Sequence, residues 1–413
     1  MAPARARTRS IDHGTVNHAG VLAMTVPHAP VRGAPSGPAA FPDSPLACAL
    51  RQPMLLGLFL PIQAGGWSAS QLPRTTDWSF DYNAALVRKA EDLGFDLAFG
   101  LSQWLPKGGY GGVLNGQALD SFMALAAMAA ITSKIILIST VHVLYGPWHP
   151  LHFAKFGATL DHISKGRWGV NIVTGHRAVE HEMFGWSRIE HDRRYELASE
   201  FIDVVQRLWS ETENYSYESE RWKLNNAFVT PKPMYGRPVL VNATGSDAGI
   251  DFAARYSDIV FMTSPTGSEI ESALDSLPAH IARIKREARE NGREVRALIN
   301  PMVICRETER EAQAYYRAIV EHADPEAAPQ GMGRFDSDAH AWRGLAGRDG
   351  PEHRALGGNI QIVGSPDQVA NYILRLKAAG IDGVQLSFYD FKPDLDFFGA
   401  RVLPLLKQAG LRR

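Results

Sequence analysis

Residues 170–185, VNIVTGHRAVEHEMFG, join an apolar run, Val170–Val173, to a segment that packs His176, Glu180, His181 and Glu182 into seven positions. Two readings compete for this stretch. If the imidazoles and carboxylates share a helix face, they form a metal site. If the apolar run is a buried strand, they stand at the mouth of a pocket at its C-terminal end. Helix geometry separates the two. A helical zinc pair needs ligands at i and i+4, whereas His176 and His181 are about 140° apart around a helix. The order His-Arg-Ala-Val-Glu-His also misses the H-x-x-E-H spacing by one residue. His176 and Glu180 can share a face, but the neighbouring strand ends offer no acidic partner and only one further imidazole, His142. No metal is expected, and His181 and Glu182 read as an exposed helix start.

Taking Val170–Val173 as a strand sets the pattern for the chain. Short apolar runs recur at LLGLFLPI (55–62), FDLAFGL (95–101), IILISTVHV (135–143), WGVNIVT (168–174), PVLVNAT (238–244), DIVFMTS (258–264), ALINPMVIC (297–305) and GVQLSFY (383–389). Helical patterns fill the gaps, among them 81–93, 193–209, 247–256, 268–291, 307–322, 366–379 and 395–409. Buried strands alternating with helices indicate a parallel sheet. Eight of them predict an α/β fold, a (β/α)8 TIM barrel with insertions at its C-terminal face. A doubly wound open sheet would carry a glycine-rich phosphate turn after its first strand, and PIQAGGWSAS (61–70) is not that fingerprint. The polar stretch 324–358 interrupts the last helical layer and reads as an insertion or lid over the barrel mouth. Residues 1–53, rich in Ala, Pro, Gly and Arg and lacking periodicity, read as a disordered extension, leaving 54–413 as the barrel.

Composition narrows the function. The 413 residues are 45% apolar and 21% charged, with a formal net charge of −1, so there is no electrostatic footprint for nucleic acid or an anionic membrane. The two cysteines, Cys48 and Cys305, exclude a disulfide framework and a Cys-based zinc site, and fit a reducing cytoplasm. The longest apolar helical run, 122–131, is too short to span a bilayer.

Reactive groups of a barrel gather at the C-terminal ends of its strands. There stand Ser102, Gln103, Thr140, His142, Asn171, Thr174, His176, Thr244, Ser246, Thr263 and Tyr389. Rich in hydroxyls and amides and poor in carboxylates, this set suits hydrogen bonding to a polar heterocycle better than metal chelation. ATGSDAG (243–249) lacks the glycine pattern of a nucleophile elbow. Its Ser246, just before a helix, is either part of an anion site at the helix N-terminus or an ordinary N-cap, a role Asp247 also fits. In EHDRRYELASEFI (190–202), Asp192 is the expected cap, and Arg193, Arg194 and Tyr195 fall in the first turn. Cations there oppose the helix dipole and ask for an anion: a phosphate on Arg194 and Tyr195, or salt bridges to Glu190 and Glu196.

Six segments then recur in order: LGLFLPIQAGGW (56–67), GFDLAFGLSQW (94–104), TLDHISKGRWGVNIVTG (159–175), EHDRRYELASEFIDVVQRLW (190–209), ATGSDAGIDFAARYSD (243–258) and VGSPDQVANYILRLKAAGIDGVQLSFYDF (363–391). On these the chain resembles the bacterial luciferase-like, flavin-dependent monooxygenases from about Leu55 to Leu406. It is most similar to the branch containing dimethyl sulfone monooxygenase and the pyrimidine-ring-opening oxygenase. RTTDWSFDYN (74–83), GPWHP (146–150) and EHDRRYE (190–196) look more like the sulfone enzyme, whereas NIVTG (171–175) and GSDAG (245–249) look shared with the pyrimidine enzyme.

The resemblance implies a two-component enzyme that takes reduced FMN (FMNH2) from a separate NAD(P)H-dependent flavin reductase and uses O2 as co-substrate. It implies C–S cleavage of a small sulfone or sulfonate such as dimethyl sulfone. A pyrimidine or other heterocycle ring-opening oxygenase and a deazaflavin-dependent oxidoreductase stand as alternatives. A cytoplasmic homodimer or homotetramer is the expected assembly. Carried over by position, Trp104 and Leu105 contact the flavin, Asn171 touches the isoalloxazine, and Glu180 lies on the cofactor's edge or ribityl side. Arg194, Tyr195 and Ser246 hold the phosphate end. Thr140 and Asn171 match the pair that cradles O2 beside the flavin N5. Two departures mark this chain. His176 stands where the related enzymes carry an aromatic, often Trp, which makes it a substrate-pocket side chain. The loop LPKGGYGG (105–112) is longer than in the pyrimidine enzyme.

Overall fold

Eight strands, labelled β1 to β8 in chain order, build the centre of the protein: β1 Leu55–Phe59, β2 Leu97–Gly100, β3 Ile136–His142, β4 Trp168–Val173, β5 Val239–Thr244, β6 Ile259–Met262, β7 Arg296–Ile299 and β8 Gly383–Phe388. All pair in parallel, and β8 returns to β1, with Leu55 opposite Gly383, so the sheet closes into a (β/α)8 barrel. The computed structural model describes residues 35–327, 337–338, 355–357 and 359–413. None of its described helices is long and apolar enough to cross a membrane.

The alternation of each strand sorts its side chains onto two faces. Leu55, Phe59, Leu97, Phe99, Ile136, Ile138, Val239, Val241, Ile259, Phe261 and Leu298 form one buried cluster inside the ring. Their neighbours Leu56, Leu58, Leu137, Val141, Val170, Ile172, Leu240 and Val260 belong to the larger cluster beneath the helices. Each such side chain contributes about 1.5–3 kcal/mol by leaving water. Toward the C-terminal end the inward positions become polar, at Thr140, His142 and Asn171, and packing gives way to a cavity.

Residues 35–53 are not outside the fold, contrary to the expectation for the N-terminal segment. They form a 3-10 turn, Pro38–Ala40, and a short helix, Pro45–Ala49, capped by Ser44, whose Oγ accepts from Ala47 N at 3.1 Å. Leu46, 1% exposed, joins the cluster inside the ring, with Ala49 and Leu50 packed against it. Gly37 lies against the buried Arg237–Asp258 ion pair at the starts of β5 and β6. The segment therefore closes the N-terminal mouth of the barrel. A five-residue helix needs only one apolar anchor, so no periodicity announced it. Residues 1–34 lie outside the described residues.

There are three further differences. The run 297–305 is two strands, because Pro301 has no N–H to continue the ladder. Beyond it, Met302–Cys305 pairs outside the ring with Gln361–Gly364 and with the end of β8. A hairpin of Tyr215–Glu218 and Lys223–Ala227 follows the long helix His191–Ser210. The final helical pattern splits into Phe391–Phe397, a π-turn at Phe398–Val402 and Leu403–Gln408. Of the stretch 324–358, only 324–327, 337–338 and 355–357 are among the described residues, so the lid expectation otherwise falls outside them.

Candidate active site

Two adjoining cavities open at the C-terminal ends of the strands. The larger, about 280 Å³, is walled by Ser102, Gln103, Thr140, His142, Asn171, His176 and Arg177 over a base of Phe59, Trp67 and Phe99. The smaller, about 150 Å³, is walled by Arg194, Tyr195, Asn242, Thr244, Ser246 and Asp338. Val173, Gly175, His176, Phe261 and Asn300 line both, so the two form one continuous depression. Its base is aromatic. Phe59 lies 3.7 Å from Trp67, 5.0 Å from Phe99, and Phe99 meets Phe261 edge-on at 4.8 Å between centroids. An apolar base with convergent polar walls is the usual make-up of a site for a planar, polar ligand.

Thr140 on β3 and Asn171 on β4 are register partners, and Asn171 Nδ2 donates to Thr140 Oγ1 at 3.2 Å. Asn171 Oδ1 is buried without a partner, as are Asn242 Oδ1, Asn300 Oδ1 and Thr244 Oγ1. A buried polar atom left unpaired costs about 1–3 kcal/mol. All four belong to residues lining the depression, where a polar ligand could pair with them.

Behind the larger cavity lies a charged cluster. Glu180 is fully buried; its Oε1 accepts from Arg177 Nη1 at 3.0 Å and from Trp104 N at 3.2 Å, and its Oε2 from Tyr145 Oη at 3.1 Å. Burial opposes its charge, but Arg177 prevails and the carboxyl sits below its ordinary range. The same burial pushes the Tyr145 phenol well up. His142 stacks on Tyr145, ring centroids 4.9 Å apart, with Nδ1 buried and unpartnered. Burial, reinforced by Arg177 and His181 and opposed by Glu180, lowers its pKa to about 4. His176 is likewise held well below 6.5, by burial first and then by Arg177, His142, Arg194 and Arg188. Both imidazoles are neutral at pH 7. Gly175, at φ 76°, turns the chain between β4 and this cluster, where a Cβ would overlap Tyr145.

The placements correct several expectations. His181 is buried, edge-on to Tyr145 at 4.5 Å, and only Glu182 is exposed. Neither Glu180 nor Trp104 nor Leu105 is on the cavity wall; Ser102 and Gln103 are there instead. Trp104 is 39% exposed, with its ring against Phe184, and Leu105 packs with Tyr110 and Leu114. Glu180 touches the cavity wall through its partner Arg177. Tyr389 faces away and donates to Leu72 O at 2.6 Å. Among the described residues no three His, Cys, Asp or Glu side chains gather as metal ligands.

The smaller cavity gathers the kinds of group that suit an anion. Ser246 is the N-cap of helix Asp247–Tyr256, its Oγ accepting from Gly249 N at 3.1 Å. Gly249 is required by close approach: a Cβ there would overlap Thr244 Oγ1 and come within 2.7 Å of Tyr195 Oη. Two hydroxyls thus converge on a helix N-terminus, where backbone N–H groups and the helix dipole favour an anion. In the facing helix, the cap is Glu190 rather than Asp192; Glu190 accepts from Arg193 N at 2.9 Å, and Asp192 instead pairs with His191. Arg193 does pair with Glu196, at 2.6 Å. Arg194, 1% exposed, reaches neither Glu190 nor Glu196. It holds Asp338 with two bonds, Nη1–Oδ2 at 3.0 Å and Nη2–Oδ1 at 2.8 Å. The aromatic base, Arg177, Asn242 and Asn300 were missed from sequence, although Phe59 and Phe99 are legible as inward positions at strand ends. Asp338 had no signal at all.

Comparison with known proteins agrees with this geometry. The luciferase-like monooxygenase family matches residues 54–383. The FMNH(2)-dependent dimethylsulfone monooxygenase of Pseudomonas fluorescens (strain Pf0-1) is 33% identical over 365 residues, covering 87% of this chain and 96% of the relative. The pyrimidine monooxygenase RutA of Acinetobacter baylyi is 31% identical over 363 residues, covering 86% and 95%. Among solved structures, the EDTA monooxygenase from Chelativorans sp. BNC1 shares the fold at a TM-score of 0.72 and 22% identity, covering 88% of this chain and 95% of that one. Matched by the family over residues 54–383 and 33% identical to one of its sulfone enzymes across most of its length, the chain belongs to the luciferase-like monooxygenase family.

Proposed function

We propose that the protein is a two-component flavin-dependent monooxygenase that takes reduced FMN from a separate NAD(P)H-dependent reductase and uses O2 to oxidise a small polar molecule, in the first reading a sulfone such as dimethyl sulfone. The carrying observation is the joined depression: a cavity at a helix N-terminus lined by Arg194, Tyr195 and Thr244, continuous with an aromatic-based cavity, with unpaired amide and hydroxyl atoms along it. The FMNH(2)-dependent sulfone relatives support it.

FMN fits these residues. Arg194, Tyr195, Thr244, Ser246 and the helix N-terminus suit its phosphate, and Phe59, Phe99 and Phe261 with Asn171 suit a flat ring with a polar edge. When bound and reduced, the flavin supplies the two electrons that activate O2. The chain's part is binding, orientation and hydrogen bonding. Asn171 and Thr140 present an amide and a hydroxyl at the level of the cavity. His142 and His176, both neutral, hydrogen-bond a substrate without charging it. Burial around them keeps water from the reacting atoms. For dimethyl sulfone the balance is (CH3)2SO2 + O2 + 2 H from the flavin → CH3SO2H + CH2O + H2O. One oxygen atom goes to the methyl carbon, whose C–S bond breaks, and the other leaves as water.

Anaerobically reduced FMN mixed with aerated buffer, with and without enzyme and dimethyl sulfone, should give methanesulfinate only when both are present. No product across a panel of small sulfones and sulfonates would remove the substrate assignment. A second reading, ring opening of a pyrimidine, draws on the two neutral imidazoles and Gln103, which suit a ring with several donors and acceptors, and on the pyrimidine monooxygenase relatives. Uracil-dependent oxygen uptake in the same assay would select it.

A further inference from the structure

The anion cradle already contains an anion of the chain's own. Asp338 sits in the smaller cavity with Arg194, Tyr195 and Ser246. Its carboxylate accepts from both terminal guanidinium nitrogens of buried Arg194, at 3.0 and 2.8 Å, and Arg188 Nε lies 3.6 Å from its Oδ2. A two-pronged guanidinium grip on two oxygens is the geometry by which arginine recognises a phosphate. The residue is also pinned from the strand side. Asp338 N donates to His176 O at 3.1 Å, and the adjacent Ser337 Oγ lies 2.7 Å from His176 Nδ1. Across the same cavity, the buried Thr244 Oγ1 has no partner, so the chain's own groups leave the cradle only part-filled.

We infer that Asp338 is a cofactor-selectivity residue, an internal carboxylate that holds Arg194 in the place of the flavin's phosphate and must give it up when a phosphorylated flavin binds. The inference rests on the flavin reading of the site. A phosphate monoester carries about −1.5 to −2 charges at neutral pH, and it cannot share one buried guanidinium with a carboxylate without strong repulsion. FMN binding is therefore an exchange of one anion for another, and its affinity is lower than the cradle alone would give. Riboflavin, with no phosphate, does not take part in the exchange. Because Ser337 is held to His176 by the same dipeptide, release of Asp338 also frees the imidazole of the substrate cavity. Cofactor occupancy and the availability of His176 are coupled.

The test is equilibrium binding of oxidised FMN and of riboflavin, by flavin fluorescence, to the wild type, Asp338→Asn and Asp338→Ala. A parallel arm measures protection by inorganic phosphate in thermal shift. Loss of the carboxylate should tighten FMN by about tenfold, within the usual range of coupling between sites, leave riboflavin unchanged, and increase the phosphate-induced shift. FMN affinity unchanged or weakened in both variants, with Tm preserved, would overturn the inference, since Asp338 would then only brace Arg194. Should neither flavin bind any of the three proteins, the flavin reading falls, and the phosphate arm alone decides for or against Asp338 as the competing anion.

Discussion

Asn171 and Thr140 face each other across the β3–β4 ladder, and the amide nitrogen of one donates to the hydroxyl of the other at 3.2 Å, leaving Asn171 Oδ1 without a partner. The hydroxyl thus sets the amide's orientation, and its loss would free the amide to turn. Thr140→Val should lower product formed per reduced flavin by about a hundredfold to a thousandfold, the scale seen when one positioned polar group leaves an active site. Thr140→Ser should retain most activity. Stability should change by only about 1 kcal/mol. Equal turnover in the valine variant, by single-turnover product analysis, would remove Thr140 from the reaction.

Gly249 shapes the smaller cavity by having no side chain. In the helix, alanine is better than glycine by about 1 kcal/mol, but here its Cβ would intrude on Thr244 Oγ1 and Tyr195 Oη. Gly249→Ala is expected to weaken FMN by about tenfold or more while riboflavin binding is kept. Circular dichroism and flavin titration check both halves. Equal loss of both ligands would mean that the cradle does not hold a phosphate.

His142 makes stability depend on acid. Its pKa falls from 6.5 to about 4 on folding, burial being the main cause. Above pH 6.5 the residue is neutral folded and unfolded, and its titration adds no cost. As pH falls from 6.5 toward 4 only the unfolded state takes up the proton, so stability is lost over that window, on the order of 3 kcal/mol. Urea denaturation at pH 7 and 4.5 should show a smaller acid loss in His142→Gln than in the wild type. Identical losses would assign the acid sensitivity elsewhere.

His176 lines both cavities and contacts Ser337 through Nδ1. His176→Trp fills the substrate side with an apolar ring. It should change the ratio of kcat/KM between sulfone and heterocycle substrates by about tenfold or more, with FMN affinity altered less. Collapse of flavin binding would place His176 with the cofactor instead.

Leu46 tests the closure of the N-terminal mouth. Leu46→Ala opens a space inside the ring and should cost about 2–4 kcal/mol, read as a fall in Tm. A protein started at Met54 should lose more. An unchanged Tm in both would show that the barrel does not need its plug.

How far the sequence was legible depends on the range of the forces involved. The eight strands could be read because burial on both faces writes continuous apolar runs. Thr140, Asn171 and Ser246 could be found because strand ends and helix starts fix where a side chain goes. Trp104 and Leu105 were carried by position into a glycine-rich loop, where one residue's shift moves a side chain off the wall. His181 read as exposed because a polar residue at a helix start usually is, yet Tyr145, distant in sequence, covers it. Leu46 and Asp338 were invisible for a common reason: each is a single residue whose partners lie far along the chain, and neither repeats any period.

The switch at Asn300–Pro301 has a consequence for how such a protein can change. The chain leaves the ring there and does not return until Gly383; between them it is anchored by the outer ladder of Met302–Cys305 and Gln361–Gly364. Ring closure uses other edges, β7 to β8 and β8 to β1. The described residues between 306 and 360 therefore stand outside the ladders that close the ring, and changes among them leave the barrel's strand-to-strand hydrogen bonds intact. They reach the site nonetheless, because Asp338 lines the smaller cavity beside the N-terminus of helix Asp247–Tyr256, so change outside the ring can be felt where the chain binds.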